Sequence, residues 1–234
     1  MDLFEKDKII NDILIEYPNF LTLLKENDIN LIEFGHKTIE NAIIEKDLNE
    51  MAFLEKLNSS HKEFIDENEH IDLKKIDLKE LSEFIVDIHH EKLYLAMPRI
   101  SNLIKTITKS YGKSNPDLEE LSNQYYGLSV KLDEHLIKEE TIFFPEIEKY
   151  YDYKNDLALG KARDGVYGLI NDHELMLEKL KSIRSITNNY TLPESYCDTF
   201  ELTYSLLMEL EYDVVLHFLL EEQILFPRLL NFEF

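Results

Sequence analysis

The chain has 234 residues, 44% of them hydrophobic, a formal net charge of −22 and a single cysteine. That length suits one large domain, or one with a small companion, and is ample for a sizeable core. The charge repels phosphate backbones and anionic lipid, which excludes nucleic acid and membrane as expected partners, and the lone Cys197 excludes an internal disulfide, a thiolate zinc site and a dithiol redox pair.

Only six glycines and six prolines, among abundant Leu, Ile, Glu and Lys, predict an all-α protein of long helices. The opening MDLFEKDKII has no basic segment leading into an apolar one, and no apolar run reaches the ~18 residues of a membrane span. A cytoplasmic protein is expected. Residues 1–57 read as a small helical N-terminal domain, with helices over Lys6–Glu16, Asn19–Glu26, Thr38–Glu45 and Asn49–Leu57. Residues 58–76, NSSHKEFIDENEHIDLKKI, are polar and weakly periodic and read as a linker.

Residues 77–234 read as an up-down four-helix bundle. Asp77 with Glu80 three residues on forms a capping box that opens the first helix, which runs to about Lys109. SYGKSNP makes the turn, with Asn115 as N-cap and Pro116 at the first helical position, and the second helix spans Asp117–Glu148. The third spans Leu157–Ile186 and the fourth, after the break TNNYTLP, Glu194–Leu230. Long helices joined by short turns pack antiparallel.

The bundle sequence repeats. HLIKEETIFFP, residues 135–145, returns 82 residues later as HFLLEEQILFP, residues 217–227, with six of eleven positions identical. His90 opens HEKL, and 83 residues later His173 opens HELM. Each half of the bundle therefore carries a helix with one His, followed by a helix with His-x-x-x-Glu. Residues four apart share a helix face, so His135 with Glu139, and His217 with Glu221, can aim at one point. A carboxylate has two oxygens and can bridge two cations, whereas a neutral imidazole gives one nitrogen to one.

A single His-x-x-x-Glu in a Glu-rich helical protein is usually a surface ion pair. Two copies in register, flanked by apolar residues, would bury carboxylates at high cost unless cations met them. At ~1.5 Å per residue, His90 and His135 lie at the same depth from their connecting turn. The predicted site is thus His90, His135, Glu139, His173, His217 and Glu221, with His36, His61, His70 and His89 solvated. Four imidazoles and two carboxylates without thiolate suit Fe, Mn or Zn, and the imidazole-rich composition favours a hemerythrin-type di-iron centre over the Glu-rich ferritin type.

These features resemble the hemerythrin-like proteins of the repair-of-iron-centres family. The resemblance covers nearly the whole chain and rests on HEKL, HLIKEETIFFPEI, the His of NDHELM, TNNYTLPESYCDTF and HFLLEEQILFPRLL. It implies two Fe ions, oxo- or hydroxo-bridged, held by the same six residues with Glu139 and Glu221 bridging. It further implies a role in repairing iron–sulfur clusters damaged by nitrosative or oxidative stress, by donating iron or by handling NO. Damaged iron–sulfur proteins and small molecules such as NO or O2 are the expected partners, and a homodimer stays open. An O2 or NO sensor or carrier is the alternative, and reduction of NO or peroxide at the site would make the chain an enzyme.

Two positions depart from the family. Tyr111 stands where relatives carry a further His, but lies 21 residues past His90, too far along the helix to reach the site. Ile32 and Glu33 stand where the N-terminal domain of relatives carries a cysteine pair, which leaves a docking or dimerisation role for this domain.

Overall fold

The computed structural model describes residues 4–67 and 72–231. The chain divides between Ile76 and Asp77 into two compact units.

The N-terminal unit contains α1 (Ile10–Glu16), α2 (Phe20–Glu26), α3 (Leu31–Phe34), α4 (Ile39–Glu45) and α5 (Glu50–Glu67). Its core gathers Ile10, Leu14, Phe20, Leu24, Ile29, Phe34, Ile39 and Leu57, all essentially inaccessible to solvent. The first helix starts at Ile10 rather than Lys6, because the preceding residues pair elsewhere. Ile9 forms an antiparallel bridge with Thr38, and the Ile10 and Asn11 N–H groups donate to Lys37 and Gly35 carbonyls at 3.1 and 3.0 Å. The chain comes so close there that a Cβ at Gly35 would lie 2.5 Å from Asn11 Oδ1. The short α3 was not expected. Asn30 caps it by accepting from the Glu33 N–H at 2.9 Å, so Glu33 serves helix initiation.

The stretch 58–76 is not a linker throughout. α5 continues ten residues past Leu57, and its polar residues are used. The Asn58 side chain pairs with the Phe4 backbone, accepting from its N–H at 2.8 Å and donating to its carbonyl at 3.1 Å. His61, expected in solvent, is buried with its ring 4.6 Å from Phe4 and 5.1 Å from Tyr17. A polar helix face that closes over a small core looks, in sequence, like a linker. His36 is exposed, and His70 lies outside the described residues.

The C-terminal unit is a bundle of four rods. The first is α6 (Leu78–Ile85), a π-helical turn over Val86–His90, and α7 (Glu91–Tyr111). The second is α8 (Asp117–Lys138), a π turn over Glu139–Phe143, and α9 (Phe144–Tyr153). The third is the unbroken α10 (Asp156–Ile186), and the fourth is α11 (Asp198–Leu220), a π turn over Glu221–Leu225, and α12 (Phe226–Leu230). First packs on second, second on third, third on fourth and fourth on first. The Asp77 capping box forms as expected, whereas Asn115 caps nothing with its side chain and offers only its carbonyl, to the Leu118 N–H at 3.3 Å.

The fourth rod starts at Asp198, four residues later than expected, because the loop before it is locked by its own contacts. Asn188, Asn189 and Tyr190 all take left-handed backbone conformations, with φ of 47°, 56° and 58°. That arrangement is strained for tyrosine, and a buried clasp holds it. The Tyr190 hydroxyl donates to Glu211 Oε2 at 2.7 Å, while Arg184 holds both oxygens of the same carboxylate. Burial and the Glu211 charge push the Tyr190 phenol well above its ordinary pKa, so it remains a donor.

The helical character of residues 58–67 is open to a direct check. Ser60→Pro should destabilise the protein by about 3 kcal/mol, the cost of proline inside a helix, in chemical denaturation. A true linker would accept the substitution without a measurable change.

Candidate metal centre

All six residues singled out from the sequence meet in the middle of the bundle, each 0–2% exposed. They sort into two imidazole pairs. His90 Nε2 faces His217 Nε2 at 3.3 Å, joining the first and fourth rods, and His173 Nε2 faces His135 Nε2 at 3.2 Å, joining the third and second. Each carboxylate spans both pairs. Glu139 places Oε1 3.2 Å from His135, and Oε2 3.4 Å from His90 and 3.5 Å from His217. Glu221 places Oε2 3.1 Å from His173 and Oε1 3.5 Å from His217.

These spacings fit cations better than hydrogen bonds. A charge-assisted N–H···O bond is shorter, ~2.7–2.9 Å. Two donor atoms each ~2.1 Å from one ion, at ordinary coordination angles, lie about 3.0–3.4 Å apart. All four oxygens of Glu139 and Glu221 are buried without a well-formed hydrogen bond. Two groups of ligand atoms lie close enough to hold a metal ion: His135, Glu139, His173 and Glu221, and His90, Glu139 and His217.

The electrostatics point the same way. Burial opposes charge on the His217 imidazole, but the Glu221 and Glu139 carboxylates beside it push its pKa up to about 10. Burial likewise opposes charge on Glu139, but the His135, His217 and His90 imidazoles around it hold its carboxyl well below the usual range. Without a metal, the buried carboxylates favour protons on His217 and His173. A cation would take the place of those protons.

The π turns explain why more residues reach the centre than an α-helix would deliver. In the second rod the Phe144 N–H bonds back to the Glu139 carbonyl, one residue further than in an α-helix, and the fourth rod repeats this from Phe226 to Glu221. Proline follows at once in both, at Pro145 and Pro227. A proline ring would clash with the carbonyl four residues back, and the widened turn relieves that contact. The second Glu of each pair, though partly exposed, reaches in to an imidazole from the rim. Glu140 Oε1 accepts from His90 Nδ1 at 2.8 Å, and Glu222 Oε1 from His173 Nδ1 at 2.7 Å. Each outer-rod imidazole is thereby held in the tautomer that directs Nε2 at the centre.

The first rod's π turn ends on His90 and turns His89 inward as well, contrary to its expected solvation. His89 is buried, bonded through Nδ1 to Asp213 Oδ1 at 3.1 Å, with its ring stacked 6.0 Å from His217. Burial lowers its pKa against the pull of Asp213. Asp213 stands four residues before His217, a spacing that could have singled it out. On the opposite side, Asp172 lies 3.9 Å from His135 Nδ1 and bonds Lys138 at 3.0 Å. Phe218 stacks on His173 at 3.9 Å, and Phe144 and Phe226 flank His90 and His173 at 5.9 Å, which keeps the pocket dry. Tyr111 sits far along the first rod, its ring 5.6 Å edge-on to Phe200 and its hydroxyl bonded to Cys197, clear of the centre as expected.

The profile of the Hemerythrin HHE cation binding domain matches residues 82–229, which takes in all six residues. The chain belongs to that family. It is also similar over its whole length to iron–sulfur cluster repair proteins, in keeping with the resemblance to the repair-of-iron-centres proteins. The iron-sulfur cluster repair protein ScdA of Staphylococcus epidermidis is 27% identical over 229 residues, covering 97% of this chain and 99% of the relative. The iron-sulfur cluster repair protein YtfE of Edwardsiella ictaluri is 26% identical over 231 residues, covering 97% and 98%. A probable iron-sulfur cluster repair protein of Haemophilus influenzae is 26% identical over 222 residues, covering 95% and 96%. Among the described residues, no helix is long and apolar enough to cross a membrane.

Because His217 is protonated at neutral pH in the metal-free protein, metal uptake near pH 7 should release protons. Calorimetry in buffers of different ionisation enthalpy measures the number. Apparent metal affinity should fall as the pH is lowered, since protons then compete more strongly for the same nitrogens.

Proposed function

We propose that this chain is a cytoplasmic di-iron protein that serves the repair of iron–sulfur clusters damaged by nitrosative or oxidative stress, as a donor of iron. The reading is carried by two imidazole pairs, each within reach of the same two buried carboxylates, in a chain alike from end to end to proteins named for cluster repair. His90 and His217 would hold one iron, His135 and His173 the other, with Glu139 and Glu221 shared between them. When bound, the iron pair supplies redox chemistry and open positions for a small molecule such as NO or O2.

The chain's own part is to bind and to orient. Glu140 and Glu222 fix the outer imidazoles, and the phenylalanine rings keep bulk water from the carboxylates. No thiolate takes part, so the ligands are nitrogen and oxygen donors, a set that suits iron. Damaged iron–sulfur proteins are the proposed recipients.

Metal analysis of protein expressed in iron-replete medium should find about two irons per chain, with the absorption of a bridged iron pair near the ultraviolet edge. Glu139→Ala and Glu221→Ala should each lose both irons, because each removes a ligand common to the two. Loss of a single iron in either variant would overturn the sharing assigned to these carboxylates.

A further inference from the structure

One difference between the two halves of the centre is a hydroxyl. Glu140 Oε1, which holds His90 Nδ1, also accepts from the Tyr94 hydroxyl at 3.1 Å. Tyr94 stands one helical turn past His90 on the same face. The 83-residue repeat that relates His90 to His173 relates Tyr94 to Leu177. Glu222 accordingly has the His173 imidazole but no phenol at the matching place.

Tyr94 is well seated for this contact. Pro98, four residues on inside α7, removes the N–H that would bond the Tyr94 carbonyl, on the stretch where the first rod runs beside the second. A cleft of about 610 Å³ opens between them, lined by Tyr94, Met97, Pro98, Tyr125 and Tyr126 among others. Tyr125 braces its wall by donating to the Met97 carbonyl at 2.8 Å. Tyr94 lies half-buried between this cleft and Glu140. Burial and the Glu140 charge push its phenol upward, so it stays a hydrogen-bond donor.

The inner imidazoles do not add to this difference: neither His217 Nδ1, with the His89 ring stacked 6.0 Å away, nor His135 Nδ1, with Asp172 at 3.9 Å, has a hydrogen-bond partner. Support from outer partners of this kind is typically worth ~10–100-fold in metal affinity.

We infer that Tyr94 is a positioning residue that makes the two metal positions unequal. Its hydroxyl fixes Glu140, Glu140 fixes the His90 imidazole, and the metal at His90 and His217 is held more firmly than the metal at His135 and His173. The inference rests on the proposed two-iron reading and sharpens it, because it names the iron that leaves first.

The full chain is loaded with ferrous iron without oxygen and mixed with excess ferrous chelator, and the coloured chelate is followed in time. Two phases of equal amplitude are expected. Tyr94→Phe, one step further out than the direct partner Glu140, should quicken the slow phase several-fold and leave the fast phase as it was, with the melting temperature of the metal-free protein unchanged. Leu177→Tyr should slow the fast phase. A single phase from a two-iron chain, or a slow phase untouched in Tyr94→Phe, overturns the inference alone. If Tyr94→Phe does not fold, an unaltered fast phase in Leu177→Tyr overturns it. A chain that loads only one iron overturns the two-iron reading with it, and two irons that both resist the chelator overturn the donor role.

Discussion

Four imidazoles and two carboxylates converge where water does not reach, and their oxygens find no adequate donor in the protein. Buried carboxylates without a counter-charge are among the costliest arrangements a fold can carry. The rest of the bundle reads as a response to that constraint. The His217 imidazole, its pKa pushed up to about 10, and His173, raised in the same direction, answer the negative charge beside them. The ring stacking of Phe218 and Phe226 excludes the water that would otherwise solvate it.

The constraint also accounts for the departures from regular helix. An α-helix can send residues four apart toward one point, but it directs their immediate neighbours elsewhere. This centre needs Glu139 on the metals and Glu140 on a ligand's far nitrogen, and the same of Glu221 and Glu222. One additional residue per turn meets both demands. α10 supplies only His173 and needs no such turn, which is why it runs unbroken through the bundle.

The ligand set was legible because it is written twice, in register, against apolar flanks where carboxylates are conspicuous. The four rods were legible from caps and turns, with Asp77 the clearest signal. Three features were not legible, each for a physical reason. His89 passed for a surface residue because α-helical geometry turns it outward, and the π turn that brings it in has no proline after it to announce the slip. α5 was cut short because its second half presents Asn58 and His61 to a small core while keeping a polar outer face. The late start of the fourth rod depends on Glu211, which lies thirteen residues into that helix and yet secures Tyr190 in the loop before it. Such a contact is visible only once the chain has folded back on itself.

The π turns at Glu139–Phe143 and Glu221–Leu225 carry a consequence for how this sequence can change over time. Removing one residue between Glu139 and Pro145 would close the widened turn to α-helical spacing, and α9 would keep its face toward α6, because a π turn carries one residue more over about the same rotation. What would be lost is the room that brings both glutamates to the centre, and Pro145 would meet the carbonyl four residues before it. The rods of most bundles tolerate drift by substitution. Here the spacing of these segments is itself inherited, so descendants of this chain are free to alter letters around the doublet of glutamates but not the count between the doublet and its proline.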